Sequence, residues 1–473
     1  MTAAPNAEHP LNRLRLQHGW KAEAMLARIA AQHQALGYGR LSARPEKWSR
    51  WTRENAPVHP TEPTQLAIAA VVGGVTPDQV RALGWPAWIH LALRDDHTLW
   101  ESPWTVAGTI EALDHTAGGH MDRRGFLTTI TGGTLSAVMA HWALADPATA
   151  AATSGTRVGA DVADACDTRL GALRHLDDAL GAGPVYDAAL AELRLLGTIL
   201  RNCSYRTDTA RRLFGCAAEA SRIAGWCRDD SGSPIAAQAH YATALRASAS
   251  GGDRTTGALI TAFWANTRYA AAHDPRSALD LIDTALRTNR NAPASPRVTA
   301  MLHIRRARAH SLMGEPSPAY RAIDAALHTY ESGVPTHEDL PTVYWMNTGE
   351  VLQAAGSAAL SLNDPRRALS YFDTAYTHPD PYRPDIEARG AAIYAARRAE
   401  AYLALGERDA AVETTRSATT QVTGVTSDRA AQALSSLHDH LNHQGALPAD
   451  TEVLVALRRA AKPTDTQDGA APA

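Results

Sequence analysis

Nine cations fall within residues 11–53 of the chain: Arg13, Arg15, Lys21, Arg28, Arg40, Arg44, Lys47, Arg50 and Arg53. Against Glu23 and Glu46 they leave a net charge of +7 in a 473-residue protein whose total is -3, so the remainder carries -10. A guanidinium can pair with two acceptors at once, and clustered Lys and Arg neutralise phosphates, so this segment has the chemistry of a nucleic-acid contact. Other residues could act as acids, bases or metal ligands. The carboxylate pairs Asp177-Asp178 and Asp229-Asp230 read as solvated residues of turns or helix surfaces. His438, His440 and His443 lack a Cys or carboxylate at metal-ligand spacing and read as solvated near a charged helix end. Cys166, Cys203, Cys216 and Cys227 contain no CxxC and are too few for a disulfide scaffold, so buried helical thiols in a reducing compartment are expected. With no GxxxxGK, HExxH or GxSxG, no catalytic residue, metal site or cofactor is expected, and the chain does not read as an enzyme.

The elements that must position the basic residues are helices. Alanine occurs 94 times, aromatics are 6% of the chain and Phe occurs 4 times, which favours an all-α fold. Leu11, Leu14 and Leu16 open a first helix; Met25, Leu26, Ile29 and Ala30 form the apolar stripe of a second. Ser42 or Arg44 precedes Pro45, a residue suited to the first helical position, and a third helix follows over Glu46 to Glu54. At 100° per residue, Trp48, Trp51 and Thr52 share one side, Ser49, Arg50 and Arg53 the other, and Lys47 the edge.

The stretch Ser49-Arg50-Trp51-Thr52-Arg53-Glu54, followed by Pro57 and a closing helix from Gln65 to Val72, resembles the helix-turn-helix of Cro/C1 (XRE) regulators. It differs from that family at Lys21-Ala22-Glu23, where the second helix starts, and in the longer connection from Gln32 to Gly39. The resemblance implies that Arg44, Lys47, Ser49, Arg50 and Arg53 face double-stranded DNA, with Arg50 and Arg53 the preferred base or phosphate contacts.

Seven of the eleven Trp precede residue 105. Trp85, Trp88, Trp100 and Trp104 read as packing anchors of a connector. Asp122-Arg123-Arg124-Gly125-Phe126-Leu127 and the weakly apolar run to Ala145 look like a twin-arginine export signal, but about 120 residues precede it. A linker helix docked on the body is the preferred reading, with an exported protein starting at Met121 as a rival. The first thirty residues carry no export address, so a cytoplasmic location is expected.

Further along, Ala237, Ala278, Ala319, Ala368 and Ala411 recur at intervals of 41 to 49 residues. Seven residues beyond each stands another Ala (244, 285, 326, 375, 418), and four beyond stand Tyr241, Ile282, Ile323, Phe372 and Thr415. Twelve before stand Gly225, Asn266, Ala307, Gly356 and Ala399. Small residues let two helices approach, and the residue between the alanines fills the gap to its neighbour. The pattern resembles the tetratricopeptide repeat over residues 205 to 440.

The expected architecture is all-α, with a helix-turn-helix domain over 1–82 and a Trp-rich connector with a linker helix over 83–155. A tetratricopeptide-like α-solenoid follows over 156–460, then a disordered tail over 461–473. Together the two resemblances are similar to a family of actinobacterial transcriptional regulators, some of them repressors of antibiotic production and sporulation. Membership implies a homodimer on DNA and a peptide, small molecule or protein in the repeat groove. The rival from another class is a repeat adaptor that never touches DNA.

Overall fold

The computed structural model describes residues 9–17, 20–52, 59–73, 75–86, 88–92, 103–117, 132–147, 154–289, 295–332, 339–385, 387–421 and 427–445. The fold is all-α with a helical-repeat body. Among the described residues the one sheet is a pair of two-residue parallel strands, β1 (Thr156–Arg157) and β2 (Cys203–Ser204). The chain divides into two compact units: residues 1–112 with 121–148, and residues 113–120 with 149–473.

The first unit opens with α1 (Pro10–Gln17), α2 (Ala22–Ala35), α3 (Pro45–Trp51), α4 (Glu62–Val72), α5 (Pro77–Leu83) and α6 (Ile89–Ala92). Leu11, Leu14, Met25, Leu26, Ile29, Trp48, Trp51 and Ile68 form its core. Trp88 and Ile89 are fully buried in the same core and Trp85 packs on it, so residues expected in a connector complete the head. Two indoles find acceptors: Trp48 Nε1 donates to Asn12 Oδ1 at 2.8 Å and Trp88 Nε1 to Gln65 Oε1 at 3.0 Å. After α7 (Val106–Ala117) comes α8 (Gly132–Leu144), which buries Leu135, Val138, Met139 and Trp142. It packs against α5 and α6, whereas the sequence reading docks it on the repeat body; short apolar helices do not encode which apolar surface they meet. The arginines of the twin-arginine stretch, Trp100 and the tail from 461 lie outside the described residues.

The second unit is an array of helix pairs. It begins with α9 (Ala160–Leu180) and α10 (Ala182–Asn202), then α11 (Thr207–Asp230) with α12 (Pro234–Gly251), α13 (Arg254–Ala270) with α14 (Pro275–Thr288), and α15 (Pro296–Leu312) with α16 (Pro316–Ser332). There follow α17 (Thr348–Ser361) with α18 (Pro365–Thr377), α19 (Ala388–Ala404) with α20 (Arg408–Gln421) and, last among the described residues, α21 (Asp428–His443). Proline at the first position and an aspartate cap start two of the second helices: Asp274 accepts from Ser277 N at 3.1 Å and Asp364 from Arg367 N at 3.2 Å.

The repeat register controls the packing. Both alanines of every pair, and the residue between them, are fully buried. A Cβ placed on Gly225 would lie 2.9 Å from the Tyr241 ring, and one on Gly356 would lie 2.6 Å from the Phe372 ring. Glycine is what lets these rings lie against the neighbouring helix. First helices of successive pairs touch one another, while each second helix packs on its own partner and on the next first helix. The first helices therefore make an inner layer.

Candidate functional site

In the first unit α3 is held by Trp48 and Trp51, both buried. Its other side carries Arg44 at the N-cap, Ser49 and Arg50, all exposed, with Lys47 half-buried at the edge. The helix ends at Trp51, before the expected Glu54, where Thr52 caps it by donating its hydroxyl to Trp48 O at 2.9 Å. Four of the five expected contact residues thus sit on one short helix; Arg53 lies outside the described residues.

The second candidate site was not legible as a set. In the body, the inner helices surround a cavity of about 710 Å³. Its lining follows the helical repeat: Arg222, Trp226 and Asp229 from α11; Phe263, Asn266 and Tyr269 from α13; Arg305 and Arg308 from α15; Glu350, Ala354 and Ser357 from α17. Arg389, Ile393 and Arg397 from α19 and Arg429 from α21 complete the wall. The position two before the small residue lines the wall on four of the five first helices (Ile223, Arg305, Ala354 and Arg397), and the position one after it on three (Trp226, Arg308 and Ser357). That offset is the signal that could have found the wall.

The aspartate pairs are corrected here. Asp177, Asp229 and Asp230 are buried, not solvated. Arg389 Nη2 donates to Asp177 Oδ2 at 3.0 Å and Nη1 to Asp230 Oδ2 at 3.0 Å, and Ser427 Oγ donates to Asp230 Oδ1 at 2.8 Å. Tyr344 donates its hydroxyl to Asp178. These contacts join α9, the end of α11 and the starts of α19 and α21, so early and late parts of the array meet around the cavity. Burial alone would make such carboxylates costly; a guanidinium gripped from two sides neutralises them.

Arg222 and Arg174 share Glu219, Arg222 through two bonds of 2.7 and 2.8 Å and Arg174 at 3.1 Å. Burial pushes the Glu219 carboxyl up, but Arg222 and then Arg174 hold it below its ordinary value. An aromatic chain runs alongside: Trp226 meets Phe263 edge-to-face at 5.1 Å, and Phe263 meets Trp345 at 6.4 Å. Arg429 lies over the Trp226 ring at 4.5 Å and Arg222 over the Phe263 ring at 4.5 Å.

Three carboxyls on the wall behave differently. Burial pushes Glu350 up to about 7, against the bond its Oε1 accepts from the Tyr394 hydroxyl at 2.6 Å; its Oε2 has no hydrogen-bond partner among the described residues. Burial, then the charge of Glu350, pushes Glu387 up to about 8, and burial pushes Asp229 up to about 6 in spite of Arg429. Because the folded state holds the Glu350 and Glu387 protons more tightly than the unfolded chain, their contribution to stability is present below the ordinary value near 4.5. It is lost as pH rises toward about 8. Glu387→Gln should therefore melt at least about 2 °C above the wild type at pH 9, with a smaller gap at pH 5, in thermal scans. A wild type that is the more stable of the two at pH 9 would contradict a carboxyl desolvated beside Glu350.

Of the cysteines, Cys166, Cys216 and Cys227 are buried in helices and Cys203 lies in β2; all are free thiols. His440 Nδ1 is 3.2 Å from Glu400 Oε1 and His438 faces Asp439; among the described residues no group of His, Cys, Asp or Glu could hold a metal ion. Among them, too, no helix is long and apolar enough to cross a membrane. No protein-family model matches the chain, and a search of curated proteins finds no match either.

Proposed function

We propose that the chain is a DNA-binding transcriptional regulator whose helical-repeat body responds to a ligand in its central cavity. The observation that carries this reading is the division of α3: Trp48 and Trp51 face the core, while Arg44, Ser49 and Arg50 face outward beside Lys47. A helix of this kind fits a major groove, where Arg reads guanine and cations displace counterions from phosphates. One short helix reaches few base pairs, so binding as a homodimer is part of the proposal. The cavity volume falls in the range of small-molecule sites, roughly 300–1,000 Å³, and supports a small molecule or short peptide over a folded protein as effector. The effector acts by favouring one curvature of the body over another.

The test is fluorescence anisotropy on duplexes recovered by genomic footprinting of the intact protein. Affinity should fall about 10-fold or more between 50 and 200 mM salt, and Arg50→Ala with Arg53→Ala should abolish specific binding. A double variant that binds as tightly as the wild type would remove the DNA-reading role and leave the repeat adaptor.

A further inference from the structure

The cavity's charges are unevenly matched. Arg174 and Arg222 share Glu219, Arg389 holds Asp177 and Asp230, and Arg397 pairs with Glu400 at 3.0 Å. Arg305, Arg308 and Arg429 have no carboxylate within 4 Å among the described residues. Arg305 donates to the Tyr269 hydroxyl at 3.2 Å, and its Nε is buried without a partner. Arg308 donates to Ser357 O at 2.7 Å and to Ser361 Oγ at 2.9 Å, both neutral acceptors. Arg429 rests on the Trp226 ring. Burial, and then the neighbouring charge of Arg397, pushes Arg308 down to about 10, whereas Tyr269, Tyr394 and Glu350 hold Arg305 above its ordinary value against burial.

Half-buried guanidinium groups with no carboxylate in contact are strong binders of carboxylate, phosphate or sulfonate when one arrives. Beside them stands the wall of Trp226, Phe263 and Trp345, whose edges and faces suit a flat apolar body. Glu350, Glu387 and Asp229, on the same lining, are groups that would repel an anion; burial pushes all three up, Glu350 to about 7, Glu387 to about 8 and Asp229 to about 6 against the charge of Arg429.

We infer that the cavity takes a small molecule combining a flat apolar ring system with one acidic group, the acid completing Arg305, Arg308 and Arg429 and the ring lying along Trp226 and Phe263. The inference rests on reading the body as a ligand-responsive module, and it names the ligand class.

The experiment uses the full chain and two probes that share one skeleton: 8-anilinonaphthalene-1-sulfonate, and N-phenyl-1-naphthylamine, which lacks the sulfonate. Fluorescence titration should give one sulfonate probe bound per chain, at least tenfold tighter than the neutral probe. Arg308→Gln and, separately, Arg429→Gln should each weaken the sulfonate at least tenfold and change the neutral probe little, with circular dichroism melts showing that each variant folds. Arg429 stands on the last described helix of the array, where its replacement is the less disruptive of the two. Excess 1-naphthoate should displace the bound sulfonate probe. Equal affinity for the two probes, or sulfonate binding unchanged in both folded variants, overturns the inference. Anisotropy on DNA is measured in parallel: a charge-dependent site in a chain that binds no DNA sinks the regulator and leaves the site standing, and DNA binding without such a site does the reverse.

Discussion

Arg389→Met should lower the stability of the repeat body by about 3–5 kcal/mol, the range for removing one partner of a buried ion pair. Asp177 and Asp230 would then both be buried without their cation, and Asp230 has no exposed surface through which water could compensate. The loss should be seen in urea unfolding followed by tryptophan fluorescence, as a lower midpoint. Replacing the charges as a set, Arg389→Met with Asp177→Asn and Asp230→Asn, should recover much of the loss, because a neutral cluster carries no desolvated charge. A single variant that unfolds at the wild-type midpoint would mean the three groups are solvated and that no clasp joins α9, α11 and α19. The clasp surrounds the cavity, so its loss should also loosen the wall carrying Trp226, whose ring lies 5.4 Å from the Arg389 guanidinium.

Phe372→Ala should cost about 3–5 kcal/mol in the same measurement, since the ring is fully buried and its site cannot collapse around alanine. The partner substitution carries the more specific test. Gly356→Ala adds a methyl group that would sit 2.6 to 2.9 Å from three Phe372 ring atoms. Overpacking of that kind costs about 1–3 kcal/mol, partly offset by roughly 1 kcal/mol of helix propensity gained over glycine. In a Phe372→Leu background the clash is relieved, so Gly356→Ala should there be neutral or stabilising. Additive effects of Gly356→Ala and Phe372→Leu would show that the two positions are not in contact.

The legible parts of the molecule are those governed by local geometry. Ala237, Tyr241 and Ala244 lie one and two helical turns apart, so their shared face follows from helical periodicity, and only small partners such as Gly225 admit the ring. In the head, the spacing of Trp48 and Trp51 put one side of α3 in the core and left Ser49 and Arg50 outward. The end of that helix was less legible, because the Thr52 cap competes with continuation to Glu54.

The aspartates show where local reading fails. Asp177 and Asp230 have the pattern of solvated helix-end residues, and their partner Arg389 stands 212 and 159 residues away. Polar residues on an inner and an outer helix face have the same periodicity, so periodicity alone does not mark Arg305, Arg308 or Glu350 as inward; the offset from the small residue marks only the first two. Likewise, the apolar face of α8 is evident from its residues, but its partners α5 and α6 are not.

By itself, then, the amino-acid sequence determined an all-α chain, the +7 segment at its head and the small-large-small register of the repeat, because helix propensity, net charge and close approach of helices depend on residues near one another. The tertiary structure decided which charges are buried, which arginines have no carboxylate within 4 Å among the described residues and where the array meets itself. Those outcomes depend on the accumulated rotation of successive helix pairs, which brings residues from opposite ends of the body within hydrogen-bond distance.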